Sequence, residues 1–147
     1  VYKRQIRWFS GAVLVGTAIV ILSGAYVRSS GATGACYSWP LCGPQALPFD
    51  GRQGIHMAHR VVTLFAFILV AATLVYVRRR MVKTIWAKKL THSLVMLFAV
   101  QAIAGLIVIH SGFTPLTRGI HIAMASLVWI IAVALTTRAW QTRLKKH

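Results

Sequence analysis

The stretch IHMAHRVVTLFAFILVAATLVYV, residues 55–77, decides the fold. It carries a single charge, Arg60, near its start, and Arg78, Arg79 and Arg80 follow it at once. Crossing a hydrocarbon core of about 30 Å takes about 20 helical residues, and this run is long enough. Three more runs have the same character, from about Trp8 to Val27, Leu90 to Ile109 and Gly119 to Thr137. They predict an all-α fold: an integral membrane four-helix bundle, up-down-up-down, forming one domain over residues 1–147. The first run follows Lys3, Arg4 and Arg7, as a signal peptide would. Its apolar part is longer than the 7–15 residues usual for a cleaved segment, so it reads as a permanent span.

Composition agrees. Of the 147 residues 57% are hydrophobic and only 12% charged, where a soluble domain would have about a quarter charged; the mean hydropathy is +0.67. Asp50 is the only acid, and the net charge is +16. Such a charge raises the question of nucleic acid, but a nucleic-acid binder would interleave its basic residues with the apolar ones. Here they cluster between the apolar runs, so the expected surroundings are membrane lipid and no nucleic acid. Lys3, Arg4 and Arg7, then Arg78 to Lys89, then Arg138, Arg143, Lys145 and Lys146 hold most of the positive charge. The positive-inside rule places these on the cytoplasmic side of the cell membrane, both termini inside.

The connection from Ser29 to Gly54 is then outside, and it contains both cysteines, Cys36 and Cys42. An oxidising compartment favours their pairing. Their spacing matches no common zinc or redox motif, and the small loop they close either shapes the connection or is redox-active. The second outer connection, Ser111 to Thr117, is short, which makes the third and fourth helices antiparallel neighbours.

Ionisable groups at membrane depth are costly and are default candidates for function. Of the six histidines, His56, His59, His110 and His121 gather toward the outer surface, His92 lies near the inner one, and His147 is in the tail. In an up-down-up-down bundle the second and fourth helices are diagonal. His56 or His59 and His121 then project from opposite walls at similar depth, an arrangement suited to the two axial positions of a haem iron; the alternative is interfacial histidines bonded to water or backbone. Arg28, Arg60 and Arg118 flank the outer ends of spans with almost no acid to pair with. They suit haem propionates, which Arg binds in bidentate fashion, or lipid phosphates reached by snorkelling. A zinc site lacks nearby carboxylate or thiolate ligands. Gln101, near the middle of the third span, either bonds across the bundle or lines its interior.

There is a faint internal echo. Gly24-Ala-Tyr-Val27-Arg-Ser-Ser30-Gly31 resembles Gly105-Leu-Ile-Val108-Ile-His-Ser111-Gly112, and Gly54-Ile-His56-Met-Ala58 resembles Gly119-Ile-His121-Ile-Ala123. The second match sets His56 level with His121.

Taken together, Gly24-Ala-Tyr-Val27-Arg28, Cys36-Tyr-Ser-Trp39-Pro40-Leu41-Cys42-Gly43, the His59-Arg60 pair, Gln101 to Gly105, and His121 resemble the haem A synthase family, over about Gly24 to Trp129. That family has two four-helix halves, and this chain is similar to one, most like the N-terminal half because of its cysteines. The resemblance implies oxidation of the C8 methyl of haem O to the formyl of haem A, with haem b (iron protoporphyrin) carrying electrons. It implies His59 and His121 as axial iron ligands, a Cys36–Cys42 disulfide, and a haem O synthase or a terminal oxidase as partners. A half-size member would form a homo-oligomer. The family's half usually has Glu three residues before the His of the His-Arg pair; here His56 stands there and becomes the candidate catalytic group. His59 is preferred over His56 as ligand because Arg60 follows it. Two other functions compete. One is a non-catalytic bis-histidine haem b cytochrome or haem carrier, suggested by the missing Glu. The other is a quinone-linked disulfide generator, which generally needs a second cysteine pair for its relay.

Overall fold

The computed structural model describes residues 2–44, 50–81 and 83–141; the tail charges Arg143, Lys145 and Lys146 and His147 lie outside the described residues. It contains four helices, α1 (Tyr2–Ser29), α2 (Gly51–Arg80), α3 (Ile85–His110) and α4 (Pro115–Gln141). All four are long and apolar enough to cross a membrane. α1 packs on α2 and α4, and α3 packs on the same two, so α1/α3 and α2/α4 are the diagonals.

Each helix starts several residues before its most apolar stretch. At 26–30 residues and 1.5 Å per residue they span about 40 Å or more, enough to reach through the headgroup zones. Local capping explains two of these starts. Asp50 is the N-cap of α2, its carboxylate accepting from the Gln53 amide at 2.6 Å, where a negative group also meets the positive end of the helix dipole. The Thr114 hydroxyl accepts from the Thr117 amide at 3.3 Å, and Pro115 takes the first helical position, where a missing N–H costs nothing.

Apolar packing fills the middle of the bundle with Val13, Ala66, Val70, Leu94, Phe98, Val128, Ala132 and Leu135. It continues toward the basic end with Ile6, Val77, Ala87 and Ala139. Alanines at the contacts let helices approach closely, as suits association without a hydrophobic drive. Trp8, Leu22, Phe65, Ile103 and Ile130 point outward and are exposed, an apolar surface suited to lipid. Ser10, Thr17, Thr73 and Thr91 are buried, and each hydroxyl donates to a carbonyl of its own helix. No buried hydroxyl among them is left unmet.

The two helical hairpins, α1–α2 and α3–α4, are built alike. α1 ends with Gly31 at φ +71° and α3 with Gly112 at φ +68°, left-handed conformations that glycine adopts without strain. The Ala32 amide donates to the Val27 carbonyl and the Gly31 amide to that of Arg28; Phe113 and Gly112 repeat both bonds onto Val108 and Ile109. This is a Schellman cap, made twice. The shift relating Gly31 to Gly112 also carries the buried Ile6, Ser10, Val13, Thr17 and Val27 onto the buried Ala87, Thr91, Leu94, Phe98 and Val108. In α2 and α4 a second constant shift carries buried Ala66, Val70, Thr73 and Val77 onto Val128, Ala132, Leu135 and Ala139.

That second shift corrects the sequence echo. It matches His59, not His56, with His121, and matches His56 with Arg118. The Gly-Ile-His similarity is out of register by nearly one turn. α2 begins at Gly51, eight residues before His59, and α4 at Pro115, six before His121, so the stretches that look alike sit at different depths.

Candidate functional site

The apolar core stops short of the cysteine-loop end, where polar groups replace it. His56 is 9% exposed and Gln101 8%, while His59, Arg60 and His121 are half-buried. His59 lies within electrostatic reach of both His121 and His56, although α2 and α4 do not touch along their backbones. The two histidines, carried by diagonal helices, therefore lie near one another in the bundle interior.

Each is backed by a glycine. A Cβ on Gly24 would lie 3.1 Å from Cε1 of His59, and one on Gly105 would lie 3.3 Å from Cε1 of His121. Both rings rest directly against the backbone of the neighbouring helix, at positions related by the hairpin repeat. Even a methyl group would press on the ring.

Hydrogen bonds define the ring nitrogens. Nδ1 of His56 is 3.1 Å from the Ala32 carbonyl, which can only accept, so Nδ1 carries the proton and Nε2 the lone pair. The Schellman cap of α1 is what sets that carbonyl over the start of α2. Nδ1 of His59 is 2.8 Å from the Ser23 hydroxyl. On α4 the Gln101 amide donates to the backbone carbonyl of His121 at 2.9 Å and approaches its Nε2 only to 3.5 Å.

Arg60 ties the site to the cysteine loop. Its Nη1 donates to the carbonyls of Ser38, Pro40 and Leu41 at 2.9, 3.0 and 3.1 Å. Cys36 and Cys42 form a disulfide in the same loop, and both are buried. Hydrogen bonds from a charged donor are worth about 1.5–3 kcal/mol net where water is excluded, and less at half-exposed carbonyls. Arg60→Ala should therefore raise amide hydrogen exchange across residues 36–43 by about tenfold or more, with the helices unaffected; unchanged exchange there would deny Arg60 this role.

Three buried polar atoms at this end have no partner among the described residues: Nη2 of Arg60, Oε1 of Gln101 and Nδ1 of His121. A buried polar group without a partner costs about 1–3 kcal/mol. A guanidinium nitrogen, an amide oxygen and an imidazole nitrogen left so, beside two imidazoles in electrostatic reach of one another, fit a ligand with a metal and anionic groups. A haem has both, so the residues present fit that group. Of the other residues singled out in the sequence, Arg28 and Arg118 are exposed at the helix ends. His110 is exposed at the end of α3, and His92 is exposed toward the basic end; neither joins the cluster. Among the described residues no three of His, Cys, Asp and Glu are grouped as a metal-ligand set. Ser23 escaped the sequence reading; its signal was that the hairpin repeat pairs it with Ala104, a polar residue against an apolar one.

The chain is also similar in sequence to known proteins. Over 139 residues, 91% of the chain, it is 35% identical to a haem A synthase from Alkalihalophilus pseudofirmus, covering 44% of that protein. A haem A synthase from Geobacillus kaustophilus is 28% identical, covering 97% of the chain and 47% of that protein. The chain is a relative of the haem A synthase family. One from Lysinibacillus sphaericus is 28% identical over 86% of the chain. The chain spans less than half the length of these relatives. No family model matches it.

Proposed function

We propose that this chain is a haem-binding membrane oxidoreductase of the haem A synthase type, oxidising the C8 methyl of haem O toward the formyl of haem A. The observation that carries the proposal is the proximity of His59 and His121, from diagonal helices and each backed by a glycine, among buried polar atoms without partners among the described residues.

In this reading His59 and His121 hold the iron, each through Nε2. Arg60 divides its guanidinium, with Nη1 on the loop carbonyls and the buried Nη2 left for a propionate. Arg28 and Arg118, at the rim, take the second propionate or lipid phosphate. His56, one turn from His59 toward the loop, accepts a proton at Nε2 while its Nδ1–H stays on Ala32. The disulfide loop covers the site and limits water entry. Haem b supplies a redox-active iron, and haem O is the substrate. The basic end faces the cytoplasm and the cysteine loop the outer side of the cell membrane.

The carrying observation is tested by titrating purified protein with haem b in mild detergent. Saturable binding with the spectrum of a six-coordinate, low-spin haem is expected. A five-coordinate or purely detergent-like spectrum would refute the paired-histidine reading. Two copies of this four-helix bundle would together have about the length of one of these relatives, and we read the bundle as associating with a copy of itself. Native mass spectrometry should then show a homo-oligomer, and monomer at every concentration would contradict it.

A further inference from the structure

Ser23 and its surroundings break the likeness of the two hairpins at the point where it matters most for the histidines. The Ser23 hydroxyl is 2.8 Å from the Val20 carbonyl and 2.8 Å from Nδ1 of His59. It has one proton. The carbonyl can only accept, so placing the proton elsewhere would set two lone pairs against each other at 2.8 Å. The proton therefore goes to Val20, and the hydroxyl oxygen accepts from His59. Nδ1 of His59 must then carry hydrogen, which leaves Nε2 as its only free lone pair.

On the other side the repeat replaces Ser23 with Ala104 and Val20 with Gln101. Ala104 offers no side-chain acceptor, and Nδ1 of His121 is buried without a partner among the described residues. Gln101 anchors the backbone carbonyl of His121 at 2.9 Å and reaches Nε2 of its ring only at 3.5 Å, leaving Nδ1 unmet. The two imidazoles, alike in depth and in their glycine backing, differ in what fixes their protons.

We propose that Ser23 is a positioning residue that locks His59 in the Nδ1–H tautomer and orients Nε2 as a ligand nitrogen, while Nδ1 of His121 has no such partner among the described residues. A histidine whose Nδ1–H is bonded is both oriented and more basic at its other nitrogen, and loss of such an outer partner typically costs 10–100-fold in metal affinity. His59 is thus the firm side of the pair and His121 the yielding one. The tautomer assignment stands on the hydrogen bonds alone; its consequence for affinity rests on the haem reading.

The test uses the full chain labelled with 15N-histidine, purified without haem and held at about pH 8, where an ordinary imidazole is neutral. His59 is assigned from the signal missing in His59→Ala. Wild type and Ser23→Thr should show His59 protonated at Nδ1, and Ser23→Ala should show a shift toward Nε2–H. In haem titrations Ser23→Ala should bind about 10–100-fold more weakly than wild type, with Ser23→Thr recovering most of the loss. An unchanged His59 tautomer in Ser23→Ala overturns the proposal, whatever the affinity. If the tautomer shifts as stated but wild type itself takes up no haem, Ser23 keeps its positioning role and the haem reading fails instead.

Discussion

His59→Ala and His121→Ala will each abolish the six-coordinate low-spin spectrum of the haem-loaded protein. The imidazoles lie near one another on diagonal helices, and among the described residues no other histidine is placed to replace either. His110 and His92 are exposed away from the cluster. His56 is held by Ala32 and lies nearly a turn off the depth of His121. Losing a ligand outright should exceed the 10–100-fold affinity cost typical of losing an outer partner. The variants should also differ. His121→Ala leaves the Ser23-anchored His59 in place and should retain a five-coordinate haem. His59→Ala leaves only His121, whose Nδ1 has no partner among the described residues, and should retain less. Absorption spectra and haem-to-protein ratios of the two variants check this. Wild-type spectra in both would remove these residues from the ligand set.

His56→Ala will lower the yield of oxidised haem by about 10²–10⁴-fold, the usual contribution of a positioned general base. His56 suits that role because Ala32 fixes its tautomer, with Nε2 as the acceptor and Nδ1 unavailable. Asp50 cannot stand in, since it caps α2 through Gln53 at the exposed end of the helix. An imidazole accepts a proton but brings no negative charge, so turnover should be slower than with a carboxylate, with some alcohol product accumulating. His56→Glu should shift the balance from alcohol to formyl. Chromatography of haems extracted from cells expressing each variant reads the outcome. Equal yield from wild type and His56→Ala would show that another group handles the proton.

Much of this was legible in the sequence, for identifiable reasons. Hydropathy is a property of whole segments, so four spans could be found without knowing any contact. The short Ser111–Thr117 connection forced α3 and α4 together, and the up-down order then put His59 and His121 on a diagonal. What escaped depends on individual contacts. The helices run beyond the apolar spans because capping by Asp50 and by Thr114 with Pro115 is a local hydrogen-bond matter that hydropathy does not register. The Gly-Ile-His echo pointed to the wrong depth because residue similarity carries no information about how much loop precedes a helix. Arg60 reads from sequence as a partner for haem propionate or lipid phosphate; that its Nη1 holds Ser38, Pro40 and Leu41 depends on the loop folding back over α2. Ser23 was invisible because its partner lies on another helix, and only the structural register shows that Ala104 is its counterpart.

The central claim is that this four-helix chain oxidises haem O at a site formed by His59, His121, Arg60 and His56. The most direct measurement is to co-express it with a haem O source in cells lacking any other haem A synthase, then extract and type the haems by chromatography and mass. The account predicts the alcohol or formyl derivative of haem O, absent from cells carrying His59→Ala with His121→Ala. Unmodified haem O and haem b alone, from cells in which the wild-type protein is abundant and haem-loaded, would contradict it and leave a bis-histidine haem cytochrome or carrier in its place.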